Sequence, residues 1–209
     1  GIIPTISNAP DLLVWDTTKS TNWPKYMLGG TSLSTSAQMS ISGGNQYTNF
    51  LLSGNFRSEG TILPGSEQYQ RNGMHLTLHH SSINRKFALD FSSSYTVDNN
   101  RSLSSSIFTT LTLPPNAPIY DSSGNYNWVG ISTNPAAILL DKSKSATDNI
   151  LGNLILQYEI LPNLRIKTNF GYTKIGLDQV MTYPKISLNP NFGSDSYAYY
   201  GDNRNTTYI

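Results

Sequence analysis

The sequence predicts an all-β protein built as an antiparallel up-and-down sheet. Apolar and polar residues alternate with a period of two in several runs, which is typical of strands with two unlike faces. Residues that favour tight turns separate these runs. Charged residues are only 13% of the 209 residues, against ~25% in soluble globular proteins. Ser, Asn, Thr, Gly and 13 Tyr supply the polarity instead, and this composition suits extended, partly hydrated strands.

The first hairpin follows residues 1–35, a proline-containing lead-in or loop without a sustained period. From Ala37 to Ser42, apolar residues alternate with polar ones. Gly43-Gly44-Asn45 then turns the chain, because glycine tolerates the positive φ of tight hairpins. Residues Tyr47 to Arg57 should pair antiparallel with the first strand. Their alternation has one exception, Leu51.

Two further strands are predicted before the middle of the chain. In the third, the apolar Met74 and its neighbours at alternate positions lie opposite His75, Thr77 and His79. Ser82-Ile83-Asn84 forms the next turn. The fourth strand, from Phe87 to Val97, has the most regular alternation, and Asp90 near its centre indicates that one face contacts water.

The fifth and sixth strands are predicted from Asp148 to Ile160 and from Leu164 to Tyr172, joined by a tight Pro162-Asn163 turn. The apolar residues of the fifth segment also fit one face of a helix, so a helix is the alternative there. The turn into an unambiguous strand favours a hairpin. The six strands occupy residues 36–175, and residues 98–147 form a long loop. Residues 176–209 are predicted to be a second long loop with the possible start of a next strand.

Short and long connections alternate along the chain. The turns near residues 43–46, 83–85 and 161–163 are tight, whereas the connections near 60, 120 and 190 are longer. Transmembrane barrels have this organisation, with tight periplasmic turns, long extracellular loops, a lipid-facing apolar face and a polar lumen. Most runs reach the length of about 9 to 11 residues that a membrane strand needs. The sequence therefore predicts part of a transmembrane β-barrel with long extracellular loops.

Three stretches carry a resemblance to a known family. They are SAQMSISGGNQYTNFLLSGNFRSEGTILPGSEQYQR, LPPNAPIYDSSGNY and NPAAILLDKSKSATDNILGNLILQYEILPNLRIKTNFGY. The first resembles a strand, turn, strand and Glu-Gly loop of the SusC/RagA-like TonB-dependent transporters of Bacteroidota. The other two are similar to that family's long loop and the hairpin that follows it. The Gly43-Gly44-Asn45 turn with Glu59-Gly60 downstream is the most specific part.

The resemblance implies a barrel of about 22 strands with a plugged lumen, located in the cell outer membrane. It also implies nutrient import, of glycan- or peptide-derived substrates, with energy from TonB and with a SusD-like lipoprotein partner. Outer-membrane lipid would surround the wall. Six strands cannot close such a barrel, so we expect an internal fragment of the β-barrel, with exposed sheet edges.

Tyr120, Tyr126 and Trp128 are the candidate substrate-binding residues. They lie in the long loop, and exposed aromatic faces can stack on sugar rings or apolar substrate groups. The alternative is that these side chains pack the loop onto the rim of the barrel.

Other chemistries are disfavoured. His75 and His79 would lie ~13 Å apart on one strand face, too far for shared metal ligation. Asp121, Ser123 and Asn125 resemble the start of a calcium loop, but a Gly124 turn explains them better. The sequence contains no nucleophile elbow, phosphate loop or carboxylate pair, and its scattered cations disfavour nucleic-acid binding. We therefore expect no enzyme and no cofactor; a secreted all-β carbohydrate-binding module is the alternative function.

Overall fold

A computed structural model describes residues 2–6, 8–192 and 195–209. Seven strands form one antiparallel sheet in which each strand pairs with its neighbours in the chain, and this confirms the predicted up-and-down all-β fold. The strands are β1 (Ser34–Gly44), β2 (Thr48–Gly60), β3 (Gln68–Ser81), β4 (Phe87–Leu103), β5 (Lys142–Leu161), β6 (Leu164–Tyr183) and β7 (Tyr197–Tyr208). The helices are α1 (Pro10–Leu13), α2 (Trp23–Leu28) and α3 (Phe108–Leu111), with 3₁₀ turns at Ala137–Leu140, Lys185–Ser187 and Pro190–Phe192.

The strand registers place the apolar residues on one face of the sheet. One row of paired residues crosses five strands through Phe50, Leu78, Phe91, Leu154 and Phe170. The adjacent row belongs to the opposite face, because side chains alternate along a strand. It contains Thr77, Ser92 and Asn153, with Leu51 as the apolar exception. We call the two sides the apolar face and the polar face.

The fifth predicted strand is a strand, and the helical alternative is wrong. Its register places Ile150 and Leu154 on the apolar face, whereas Leu151 and Ile155 lie on the polar face. Apolar residues on both faces produce a pattern that also fits a helix. Pairing with β4 and β6 along the whole length of β5 decides the outcome.

Several strands extend beyond their predicted bounds. The long connection between β4 and β5 runs from 104 to 141, shorter than the predicted 98–147, and β6 continues to Tyr183 instead of ending near Tyr172. The segment 176–209 contains β7, so the sheet has seven strands where six were predicted. The extensions of β4 and β5 carry mostly polar residues on both faces, whereas the extension of β6 places Ile175, Leu177 and Met181 on the polar face. Pairing with neighbouring strands forms these segments, although they lack the apolar and polar faces of the central sheet.

Tight turns lie at one rim of the sheet and long connections at the other. The tight turns span 45–47, 82–86 and 162–163, and Asn163 adopts a left-handed φ of 68°. The opposite rim, the long-loop rim, carries 61–67, 104–141 and the described residues 184–192 and 195–196. Residues before β1 join it through backbone hydrogen bonds from Thr21 to Pro115 and from Gly30 to Ile62. The predicted alternation of short and long connections thus matches the two rims.

The buried core lies in the long loops and outside the sheet. The buried apolar side chains come from two segments, 10–33 and 104–141, which we call the cap: Trp15, Trp23, Met27, Ala117, Ile131, Ala136, Ala137 and Ile138. Trp23 donates its indole N–H to the Pro114 carbonyl at 2.9 Å. The predicted lead-in is therefore one half of a packed unit, because its tryptophans bury their rings against the later loop.

The apolar face of the sheet is uncovered. Met39 is 80% exposed, Met74 58% and Phe170 55%. The described residues form a single sheet, so no second layer packs on these side chains. Among the residues that the structure describes, β1 at one edge pairs with β2 alone, and β7 at the other edge pairs with β6 alone. Within the described ranges, none of the helices is long and apolar enough to span a membrane.

Candidate functional site

The candidate site is built on a small hairpin in the cap. Tyr120 and Tyr126 form an antiparallel bridge, and their rings stack with centroids 5.6 Å apart and planes 21° from parallel. The Asp121 carboxylate closes the tip by accepting the backbone N–H groups of Ser123 and Asn125, at 2.8 and 2.9 Å. Asp121 therefore stabilises a turn, as the sequence predicted for the segment that contains Gly124. Gly124 has a φ of 83°.

Asn134 fixes the base of this hairpin. Its side chain is fully buried and donates to the carbonyls of Ile119 and Asn127, at 2.7 and 3.0 Å. Its amide oxygen accepts the N–H groups of Ala136 and Ala137. One side chain therefore joins both arms of the hairpin to the segment that follows, and it positions Tyr120 and Trp128 through their chain neighbours.

The three predicted aromatic residues line one cleft of about 500 Å³. The opposite wall comes from the connection after β6, through Lys185, Ile186, Leu188 and Pro190. Tyr120 is 55% exposed, whereas Tyr126 and Trp128 are half-buried. The cleft therefore offers aromatic faces on one side and aliphatic surface on the other, with the Lys185 ammonium at its edge paired with Asp195 at 3.0 Å.

Burial changes the ionisation of the tyrosines near the cleft. It raises the pKa of the Tyr126 phenol, and the neighbouring Tyr120 raises it further. The pKa of Tyr26 in α2 is raised for the same reasons, burial first, then Tyr120 and Tyr126. The phenols of Tyr26 and Tyr126 therefore stay neutral at ordinary pH and can act as hydrogen-bond donors.

A second polar residue joins the two long loops at the base of the cap. Asp141 is buried and accepts hydrogen bonds from the hydroxyls of Ser105 and Ser187. Nearby, the buried Glu67 pairs with Lys142 at the start of β5. These contacts link the connections after β2, β4 and β6, so the wall of the cleft is held to the sheet.

The sequence located the aromatic half of this cleft but missed the other half. Tyr120, Tyr126 and Trp128 are brought together, while their role in binding stays a prediction. Lys185 and Ile186 lie more than 50 residues further along the chain. The local sequence of either loop does not predict that the two loops are in contact. Asn134 was also missed, because a buried asparagine resembles any other loop asparagine in the sequence.

The three histidines are not gathered in one place. His75 and His79 lie on the polar face, and His80 lies on the apolar face. His79 hydrogen-bonds Asp90 across the β3–β4 pair, and His80 hydrogen-bonds Thr48. His79 and His80 thus hydrogen-bond side chains of neighbouring strands, as expected for ordinary polar residues of a β-sheet.

Solved structures of transporters share this fold. No protein-family model and no curated protein sequence matches the chain. The structure is similar to a chain of the RagAB peptide importer in its closed-closed state, with a TM-score of 0.67 and 16% identity. Similar chains occur in the RagAB peptide transporter, with a TM-score of 0.66 and 19% identity, and in the open-open state of the importer, with 0.67 and 16%.

The extent of the match is unequal. These similarities cover 100%, 94% and 100% of this chain, but only 28%, 24% and 27% of the matched chains. The chain thus spans about a quarter of the length of those proteins. At these identities the comparison establishes the fold: the seven-stranded sheet and its cap have the architecture of one part of a peptide-importer chain.

Proposed function

We propose that this chain is a segment of the wall of an outer-membrane transporter barrel, with its cap on the extracellular side. The apolar face contacts lipid, the polar face lines the lumen, and the open edges of β1 and β7 pair with further strands of a longer chain. Import of nutrients, energised by TonB and assisted by a SusD-like lipoprotein, is the activity to which this segment would contribute.

The uncovered apolar face carries the proposal. In a soluble β-sandwich, a second sheet covers the apolar face of the first. Here the core lies in the cap, and the large apolar side chains of the sheet remain exposed. Exposing such a continuous surface to water is unfavourable, since each buried Leu or Phe side chain stabilises by ~1.5–3 kcal/mol. A lipid environment removes this cost.

The height of the apolar face fits a bilayer. In β4, apolar-face residues extend from Phe87 to Val97, ten steps of ~3.3 Å, or ~33 Å along the strand. A strand tilt of ~40° reduces this to ~25 Å along the membrane normal, the height of the apolar band of outer-membrane barrels. At the upper limit of this band, the register row of Val97 continues through Asp148 and Gly176 to Arg204. Arg204 makes ion pairs with Asp148, Asp178 and Asp202, as expected where the face leaves the hydrocarbon.

We further propose that the aromatic cleft contacts the imported substrate. The similar transporters are described as peptide importers, and a cleft with stacked phenols, aliphatic surface and one lysine suits an extended peptide. A glycan-derived substrate is the second candidate, because the same aromatic faces can stack on sugar rings.

Reconstitution tests the membrane assignment. The protein purified in detergent is mixed with phosphatidylcholine, and the detergent is removed. We expect the protein to float with the vesicles and to stay with them through an alkaline wash. A monodisperse monomer that remains soluble without detergent would contradict the proposal and favour the secreted carbohydrate-binding module.

A further inference from the structure

Two cations face each other on the apolar face near the long-loop rim. Arg101 in β4 and Lys144 in β5 are register partners, and both side chains are exposed. Directly opposed residues of an antiparallel pair have Cβ atoms ~4.5–5.5 Å apart, and like charges there are destabilising. Within the described residues, neither side chain makes an ion pair or a side-chain hydrogen bond.

The other like-charge register pairs of the sheet have counterions. Arg57 and Arg71 face each other across β2 and β3, and they pair with Glu59 and Asp98, respectively. The two carboxylates Asp178 and Asp202 face each other across β6 and β7.

A shared cation neutralises this second pair. Arg204 forms ion pairs with both Asp178 and Asp202. Among the described residues, each like-charge register pair of the sheet forms ion pairs with residues of opposite charge, except the pair Arg101 and Lys144.

A groove surrounds the unmatched cations. It has a volume of about 540 Å³ and is also lined by the side-chain amides of Gln70 and Asn99. One carboxylate, Asp178, lines it as well, but both of its oxygens accept hydrogen bonds from Arg204 at 2.8 Å. The groove thus presents two free cations and amide donors, which is the chemistry that binds a phosphate group.

The position of the groove indicates that the phosphate belongs to a lipid headgroup. Arg101 lies four residues beyond Val97, the last residue of the apolar band in β4. Arg101 therefore lies ~13 Å further along the strand than Val97. With a strand tilt of ~40°, this distance corresponds to ~10 Å above the hydrocarbon along the membrane normal. Long Arg and Lys side chains can reach lipid headgroups from that height.

We propose that Arg101 and Lys144 form a binding site for the phosphorylated headgroup of an outer-leaflet lipid, on the lipid-facing side of the wall. The inference rests on the proposed function, because it requires the apolar face to lie in a bilayer. It adds a lipid-specific site outside the lumen and away from the aromatic cleft.

The test measures which lipids stay with the protein. The protein is placed in phosphatidylcholine discs that contain a small fraction of bisphosphorylated lipid A or of the same lipid without phosphates, and bound lipid is measured by native mass spectrometry. We expect preferential retention of the phosphorylated lipid. The double variant Arg101→Gln, Lys144→Gln should reduce this retention about tenfold or more, since each cation near an anionic lipid contributes substantially.

A matched control removes two charges elsewhere. Lys86→Gln with Lys167→Gln makes the same charge change at the tight-turn rim and should leave retention unchanged. Equal retention by the Arg101 and Lys144 double variant, or no preference for the phosphorylated lipid, would overturn the inference. Displacement of the lipid by inorganic phosphate at equal concentration would also overturn it, by indicating a free-anion site.

The discs also separate this inference from the proposed function. A protein that enters the discs without lipid preference refutes the lipid site alone. A protein that does not enter them refutes the membrane wall and the lipid site together.

Discussion

At the scale of single residues, Asn134 fixes the hairpin of the cap by hydrogen bonds from a buried side chain. All four of its side-chain hydrogen bonds are to backbone groups, and the side chain is fully buried. Truncation would leave buried carbonyl and N–H groups without partners, at a cost of ~1–3 kcal/mol for each group left unsatisfied. The hairpin that carries Tyr120 and Trp128 depends on these bonds.

We therefore expect Asn134→Ala to destabilise the cap by about 3 kcal/mol or more. The Asn127 carbonyl and the N–H groups of Ala136 and Ala137 lose their partner, whereas the Ile119 carbonyl still accepts the Asn127 N–H. The three tryptophans, Trp15, Trp23 and Trp128, all lie in the cap, so tryptophan fluorescence follows its unfolding while far-UV circular dichroism follows the sheet. Asn125→Ala, at the exposed tip of the same hairpin, is the control and should have little effect. Equal unfolding curves for the two variants would show that Asn134 does not hold the hairpin.

Substitutions in the aromatic cleft test its proposed role in substrate binding. Tyr120→Ala and Trp128→Ala should each weaken substrate binding about 2- to 10-fold, because one stacking contact contributes ~0.5–1.5 kcal/mol. Binding is measured with a mixture of tryptic peptides and, separately, with a mixture of malto-oligosaccharides. Tyr200→Ala is the control, since this residue is 80% exposed on β7 and outside the cleft. Unchanged affinity in both cleft variants would mean that the tyrosines and the tryptophan only pack the loop onto the rim.

At the scale of elements, β4 shows how the sheet uses its two faces. Phe91 lies near the middle of the apolar band, and its chain neighbour Ser92 lies on the polar face. Phe91→Arg should destabilise the folded protein in lipid by ~2–4 kcal/mol, as for Arg at mid-bilayer on a barrel surface. Ser92→Arg should be tolerated, because its side chain faces the hydrated lumen in the proposed barrel wall. Urea unfolding in vesicles measures both, and a similar cost for the two would contradict the assignment of faces.

The strands were predictable where amphipathicity defines them. Phe87 to Val97 alternates cleanly, so the sequence revealed both its strand and its faces. The continuation of β4 to Leu103 and the whole of β7 carry polar residues on both sides, and pairing with neighbouring strands forms them. The cap was unpredictable for a different reason, since Trp23 and Pro114 are distant in sequence and only tertiary packing joins them.

At the scale of the whole molecule, the distribution of buried surface separates two parts. The cap has a small buried core, whereas the sheet has no covered face within the described residues. A soluble protein would place its core against the sheet. This distribution is the one that the proposed membrane wall requires, with the cap in water and the lower part of the sheet in lipid.

A cysteine scan along β4 tests the lipid-facing assignment most directly. The chain has no cysteine, so each substitution from residue 88 to 97 gives one labelling site for a nitroxide. In vesicles, we predict that labels at odd positions are relaxed more strongly by oxygen, which partitions into lipid, and labels at even positions by a water-soluble nickel complex. Two results would contradict the membrane wall. In the first, the accessibility of the labels to oxygen and to the nickel complex does not alternate between odd and even positions. In the second, neither reagent reaches the labels at odd positions, which would show that the apolar face packs against protein.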